Sequence, residues 1–381
     1  MHLLEKSIPV LINIAREYGF LRIVPLTDID SLIAASILAR NLGEHDIHTV
    51  INLDVKTCLE TDEPTILLNI PKPSQAKKWC QELVWDKQDS SLSSYIVTGL
   101  ENYWIVSDYD KILAILAGIY KERDLGKEGF QGTEKKFLQE LIDNDKAEID
   151  FGFRFWGWRK RSLVEMITHT LIPFLPGLTG ERDQVLAFLK KLFNTENAES
   201  LNSSSIFLEE EPERAKKFAA ALYEALEIDE NTRKTILLKL IGFTYYFYIG
   251  DTRLESFETL GSLIIYESLE QGSANLLSNL SLDPNILYNI ISLYDYYIDM
   301  LANEISHGIR LWLSGRSIDT DRIERPDIYV DILRSLGLLN QKPVSIISNG
   351  HNITVLRELL RVGKDIEHAL SVCDELQLCE I

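Results

Sequence analysis

Two aspartates spaced two residues apart are the first candidates for chemistry in this sequence. Asp28 and Asp30 follow a short apolar run, Leu21-Arg22-Ile23-Val24-Pro25-Leu26, and precede a stretch of helical periodicity from about Leu32 to Leu42. Carboxylates at the end of a strand could hold a divalent cation. Carboxylates just before a helix accept backbone N–H bonds, and from the residues alone capping is the favoured reading. A second cluster, Arg154-Phe155-Trp156-Gly157-Trp158-Arg159-Lys160-Arg161, joins cations to indoles. Such a cluster can neutralise phosphate and stack bases, which makes Arg154, Trp156, Trp158, Arg159, Lys160 and Arg161 candidate nucleic-acid contacts. The competing reading is a hairpin whose aromatics pack inward. Asp295, Asp299, Glu304 and His307 fall at helical spacing, but no third ligand group is in register, so a surface helix is expected there. Cys58, Cys80, Cys373 and Cys379 form no CxxC pair. Neither a zinc site nor a disulfide framework is expected, only thiols in a reducing cytoplasm.

The elements that would position these groups alternate between strand and helix. A first helix is predicted from about Leu3 to Tyr18, stopped by Gly19. A strand at 21–26 leads to the helix at 32–42, capped by Ser31 or Asp30. Strands are predicted at Thr49–Leu53, Thr65–Ile70, Tyr95–Thr98 and Trp104–Val106, and helices at Ser74–Leu83 and from Asp108 to about Arg123. Trp79 and Trp85 read as packing residues. This alternation implies βαβ units and a mainly parallel sheet. A helix at Thr133–Asp145 and an edge strand at 149–155 follow. The segment 171–180 is a loop punctuated by proline and glycine, and a helix at 181–193 comes after it. Residues 194–205 are polar and mark a boundary. Further on come helices over 212–240, an aromatic strand at 243–249, a helix at 256–271, a long helix at 284–313, and a strand at 343–347 between helices. The expected organisation is an N-terminal α/β domain over 1–193, a helical linker region over 194–245 and a smaller α/β domain over 246–381.

Composition narrows the function. The 381 residues carry a formal net charge of −19, and 45% are hydrophobic. So acidic a chain repels the phosphate backbone at long range, so protein partners are the expected main contacts. No apolar run approaches the ~20 residues of a membrane span, and the first residues lack the pattern of a secretory leader. A cytoplasmic protein is expected.

Four segments, in order, resemble the archaeal RecJ-like family of the DHH superfamily. They are Val24-Pro25-Leu26-Thr27-Asp28-Ile29-Asp30-Ser31 with Ala34-Ala35, Phe130-Gln131-Gly132 through Trp156-Gly157-Trp158-Arg159, and Pro176-Gly177-Leu178-Thr179-Gly180. The fourth joins Glu255–Leu260 and Gln271-Gly272-Ser273-Ala274 to the tail from Ile346 to Leu370. The resemblance implies a parallel-sheet DHH-type domain joined by helices to a DHHA1-like domain. Active members hydrolyse phosphodiesters with two divalent metals, usually manganese, and such a pair needs oxygen-rich and imidazole ligands. Slot by slot, the family's His-x-Asp-x-Asp-Gly motif places Leu26 where the histidine belongs and Ser31 where the glycine belongs, while Asp28 and Asp30 remain. The next aspartate slot falls on Asn69, and the last falls on Lys121. The Asp-His-His motif, due between about 75 and 105, has no counterpart, since the histidines of this half are His2, His45, His48 and His169. Asn349-Gly350-His351 lies too early to stand for the family's glycine-histidine segment, which is expected to be lacking.

The resemblance therefore implies a pseudoenzyme of the inactive branch, without cofactor or metal. That branch includes the eukaryotic cell-division-control protein forty-five of the CMG helicase. The implied role is a non-catalytic DNA replication factor that binds GINS and MCM, with single-stranded DNA as a further contact. Two alternatives stand beside it: a residual manganese-dependent single-strand DNA phosphodiesterase using Asp28 and Asp30, and a regulatory subunit of an active nuclease. Lys121 is expected to form a salt bridge with the two aspartates and so replace the charge of the metal.

Overall fold

The apolar run that begins at Leu21 is an inner strand of a parallel sheet. The computed structural model describes residues 7–85, 90–126, 128–207, 212–269 and 277–381. In it α1 (Ser7–Tyr18) turns at Gly19, whose φ of 62° is left-handed, into β1 (Phe20–Pro25). There follow α2 (Ile29–Gly43), β2 (His48–Ile51), the short α3 (Thr57–Glu60), β3 (Thr65–Leu68), β4 (Cys80–Leu83), α4 (Leu92–Glu101) and α5 (Asp108–Tyr120). The strands lie in the order β2-β1-β3-β4 and every pairing is parallel. All four residues of β3 are buried, as a strand covered on both faces must be. Leu21, Ile23, Ile66 and Leu68 face one apolar core together with α2, α4 and α5. Val24 and Leu67 face the other way, into a second core completed by Leu356, Leu359, Ile366 and Ala369 from the C-terminal part of the chain.

Next, α6 (Gly132–Asp143) enters β5 (Ala147–Phe153), and α7 (Leu163–His169), α8 (Arg182–Phe193), α9 (Pro212–Ala225) and α10 (Glu230–Leu240) lead to β6 (Ile241–Ile249) and β7 (Thr252–Glu255). Strands β5, β6 and β7 form one antiparallel sheet, so residues from both sides of the expected boundaries near 193 and 245 share it. Gly180, before α8, passes so close to α12 (Pro284–Leu313), the long helix, that a Cβ there would clash with the Ala302 carbonyl. Its φ of 77° also favours glycine. Between β7 and α12 lies α11 (Ser256–Leu269). The chain then continues with β8 (Ile318–Asp319), α13 (Asp327–Ser335), β9 (Ile346–Ser348), β10 (His351–Val355), α14 (Leu356–Arg361), α15 (Ile366–Val372) and β11 (Leu378–Glu380). The last sheet has the order β11-β10-β9-β8. The chain is thus α/β, with a parallel-sheet N-terminal part and a smaller α/β C-terminal part. Among the described residues no helix is long and apolar enough to cross a membrane.

Several expectations are corrected. Tyr95–Thr98 is not a strand but the middle of α4, although its residues are β-formers. Leu92, Ile96, Val97 and Leu100 are buried at helical spacing, and Ser91 caps the first turn through the Ser94 amide. Trp104–Val106 forms no strand and connects α4 to α5. Of the helix expected at 74–83, residues 80–83 form β4 instead, because their backbone pairs with β3. The cap of α2 is Asp28, not Ser31 or Asp30. The cysteines are not free: Cys58 pairs with Cys80 and Cys373 with Cys379. Pairing needed no close spacing, because all four sulfurs sit in the second core, where the fold brings distant segments together. The expected segment Gln271–Ala274 and His2 lie outside the described residues.

Candidate functional site

In a sheet of this order the chain leaves β1 toward one side and returns for β3 on the other. The crevice at the carboxyl ends of those two strands is where open α/β sheets place their ligands. Leu26 and Asn69 follow β1 and β3 directly, and the Leu26 amide donates to the Leu68 carbonyl at 2.9 Å. The two aspartates and Asn69 are therefore brought together, with Lys121 at the C-terminal end of α5.

Each group already has a protein partner. Asp28 Oδ1 accepts from the Ser31 amide at 3.0 Å and Oδ2 accepts from the Ser31 hydroxyl at 2.9 Å. Asp30 is fully buried and holds the start of α4. Its Oδ2 accepts from the Leu92 amide and its Oδ1 from the Ser93 amide, each at 2.9 Å, while the Ser93 hydroxyl adds a bond at 2.8 Å. Asn69, at a left-handed φ of 59°, receives the Trp85 amide on its Oδ1 at 2.9 Å, which turns its amide nitrogen toward the Ser31 hydroxyl at 2.9 Å. An Asn so oriented presents a donor to the crevice where a carboxylate would present an acceptor.

The electrostatics separate the two aspartates. Burial works against the charge of Asp28. Lys121, Arg357 and the two bonds from Ser31 outweigh it and hold the carboxyl below its usual range. Burial pushes Asp30 up. The neighbouring charge of Asp28 adds to that, and Lys121 and the α4 amides only partly offset it. The expected salt bridge of Lys121 is not formed: among the described residues Lys121 makes no ion pair with either aspartate, and it acts on them through space. The resemblance drawn from the sequence would put an imidazole at position 26 and carboxylates at positions 69 and 121 for a divalent pair, where Leu26, Asn69 and Lys121 stand. The residues present do not fit it, and among the described residues no three His, Cys, Asp or Glu side chains converge as metal ligands.

On the β2 side of the crevice, a glutamine that no motif announces caps the strand ends. Gln377, on the turn before β11, is 1% exposed. Its Nε2 donates to the carbonyls of Pro25 at 2.8 Å and Leu53 at 3.0 Å, and its Oε1 accepts from the Thr27 amide at 3.1 Å. Beside it stands a buried charge network on the C-terminal wall. Arg357 reaches Asp327 at 2.9 Å and Asp331 at 3.0 Å, Arg325 reaches Asp327 at 2.9 Å, and the Tyr120 hydroxyl donates to Asp331 at 2.8 Å. Tyr120 ends α5 immediately before Lys121, so the network joins the two parts of the chain at the crevice.

The basic turn is built differently. Trp156 and Trp158 are buried, Trp158 completely. Trp158 donates its indole N–H to Asp150 at 3.2 Å, and the Trp156 ring packs 5.0 Å from that of Tyr294. Arg154 is buried against Asp124. Arg159 pairs with Asp150 at 2.8 Å, Lys160 with Glu258 at 2.7 Å and Arg161 with Asp295 at 2.7 Å. Neither indole offers a free face to a base, and each cation meets a carboxylate of the chain itself. On α12, Asp299 pairs with His169 at 3.0 Å, and Glu304 accepts from the Asp321 and Arg322 amides at 3.0 and 3.1 Å. Asn349-Gly350 forms the turn between β9 and β10, and His351 pairs with Glu380 at 2.7 Å.

No protein-family model matches the chain, and no curated protein matches it in sequence. Solved structures do match. CDC45 from Entamoeba histolytica is 11% identical, and the match covers 96% of this chain and 86% of that one with a TM-score of 0.57. Exonuclease RecJ bound to manganese is 12% identical, with 94% and 84% covered and a TM-score of 0.41. RecJ in complex with Mn2+ from Thermus thermophilus is 11% identical, with 92% and 46% covered and a TM-score of 0.39. The first of these shows the fold, which runs through nearly the whole of both chains.

Proposed function

We propose that this chain is a non-catalytic DNA replication factor that docks on GINS and MCM and stabilises or stimulates the replicative helicase. The observation that carries the reading is the filled crevice. All four aspartate oxygens accept hydrogen bonds from Ser31, Leu92 and Ser93, Asn69 donates to the Ser31 hydroxyl, and Gln377 caps the neighbouring ends of β1 and β2. A cleft filled in this way supports a role in binding rather than phosphodiester hydrolysis. The likeness in fold to CDC45 supports placing that binding in replication, and the net charge of −19 suits protein partners better than a nucleic-acid backbone.

Affinity purification of the full chain from native extract, washed in high salt, tests the reading. GINS and MCM subunits are the expected company, with faster unwinding when the chain is added to MCM and GINS. A bound nuclease in their place would favour the regulatory-subunit alternative. Manganese-dependent degradation of single-stranded DNA that disappears in Asp28→Ala would overturn the non-catalytic reading. Direct single-strand contact through the basic turn is not part of the proposal, because its indoles are buried. Arg159→Glu with Lys160→Glu is expected to change single-strand affinity by less than about twofold.

A further inference from the structure

The turn that caps the ends of β1 and β2 lies inside a ring of covalent bonds. Cys373 and Cys379 close a disulfide around the turn that carries Gln377. Within that ring the Asp374 carboxylate accepts from the Leu376 amide at 2.8 Å and the Leu378 amide at 2.9 Å, which fixes the turn that points Gln377 at the strand ends. The second disulfide, Cys58–Cys80, ties α3 to the edge strand β4 in the same apolar core. Lys56, just before α3, links the two by donating its ammonium to the Cys373 carbonyl at 3.0 Å. Both clips therefore bear on one contact, the seating of the C-terminal turn on the carboxyl ends of β1 and β2.

We propose that this arrangement is a redox-sensitive clamp. With both disulfides formed, Gln377 is seated on the ends of β1 and β2; reduction by a dithiol releases the turn and uncovers the backbone there. The exposed residues Asp374 and Glu375 make the turn the point of entry, and Cys373, at 6% exposure, is the more accessible sulfur of its pair, Cys379 being fully buried. A thiolate of the reductant attacks the Cys373 sulfur, and the Cys379 sulfur leaves and takes up a proton. The second thiol of the reductant then closes its own disulfide and frees Cys373. Two electrons and two protons pass to the protein, and the reductant emerges as a disulfide. The clamp does not depend on which partner the chain binds.

The Thr27 amide is the reporter, since its acceptor is Gln377. Hydrogen exchange on the full chain should show it protected in the oxidised protein and exchanging about tenfold faster or more after dithiothreitol. The Leu32 amide, bonded within the chain to the Asp28 carbonyl, should be unchanged. Cys373→Ser with Cys379→Ser should reproduce the reduced pattern. Gln377→Ala, which leaves both disulfides in place, should release Thr27 without any reductant and guards against a cysteine variant that fails to fold. Free thiols at these cysteines in protein blocked with an alkylating agent before denaturation would overturn the proposal. So would Thr27 exchange that is indifferent to reduction.

Discussion

The two walls of the crevice handle buried charge in different ways. On the N-terminal wall, Asp28 and Asp30 are satisfied chiefly by backbone amides and serine hydroxyls, and Lys121, whose charge favours the ionised form of both, stands off without pairing. On the C-terminal wall, Arg325, Asp327, Asp331 and Arg357 meet in direct ion pairs with almost no exposure. The first wall can lose a charge and keep its hydrogen-bonding shell. The second cannot, because each member is the counter-ion of another. Removing one partner of a buried pair leaves an uncompensated charge, whereas a side chain held by amides can be replaced by its neutral isostere at lower cost.

The largest effect is therefore expected at Arg357. Arg357→Ala should lower the unfolding free energy by about 3–5 kcal/mol, read from urea denaturation, with Arg357→Lys in between because an ammonium cannot span both aspartates. A cost below that of Asp28→Ala would break the contrast between the walls. Asp30→Ala comes next, at about 1–3 kcal/mol, since it strips acceptors from the buried start of α4. Asp28→Ala should cost about 1 kcal/mol, the ordinary value of a helix cap. Protection of the Leu92 and Ser93 amides in hydrogen exchange would separate the two, because only the Asp30 variant should lose it.

What the sequence disclosed follows from how local each feature is. The strand–turn–helix around Asp28 is contiguous, so Asp28 and Asp30 could be placed at one strand end from the sequence, and parallel pairing of β1 with β3 then delivered Asn69 to the same place. The single long helix at 284–313 was equally plain, because one amphipathic period runs through it uninterrupted. Gln377 was not legible, since its Thr27 contact spans 350 residues and a lone glutamine on a turn carries no signature. Nor was the C-terminal wall, whose members come from α5, from α13 and the turn before it, and from α14. Tyr95–Thr98 misled for a physical reason: Asp30 and Ser91 supply the capping that lets β-branched residues continue a helix. The cysteines misled because spacing says nothing about residues that only a tertiary core brings together.

The smallest effect, and the sharpest probe of the N-terminal wall, is expected at Lys121. Because it acts through space on a partly exposed helix end, Lys121→Ala should cost less than about 1 kcal/mol at neutral pH. Its signature lies in the pH dependence. Asp28 is held below its usual range, so its contribution is present at neutral pH and lost as pH falls through the folded-state value. Asp30 is raised, so its contribution runs the other way, present in acid and lost as pH rises through the folded-state value. Without the ammonium both carboxyls move up. The acid-side loss from Asp28 should then begin at higher pH, and the decline from Asp30 should extend further toward neutrality. Urea unfolding of the wild type, Lys121→Ala and Lys121→Arg across that range reads both limbs, and the arginine variant should restore them. Should Lys121→Ala instead cost several kcal/mol with no change in either limb, the lysine would be a direct structural partner, and the difference between the two walls would collapse.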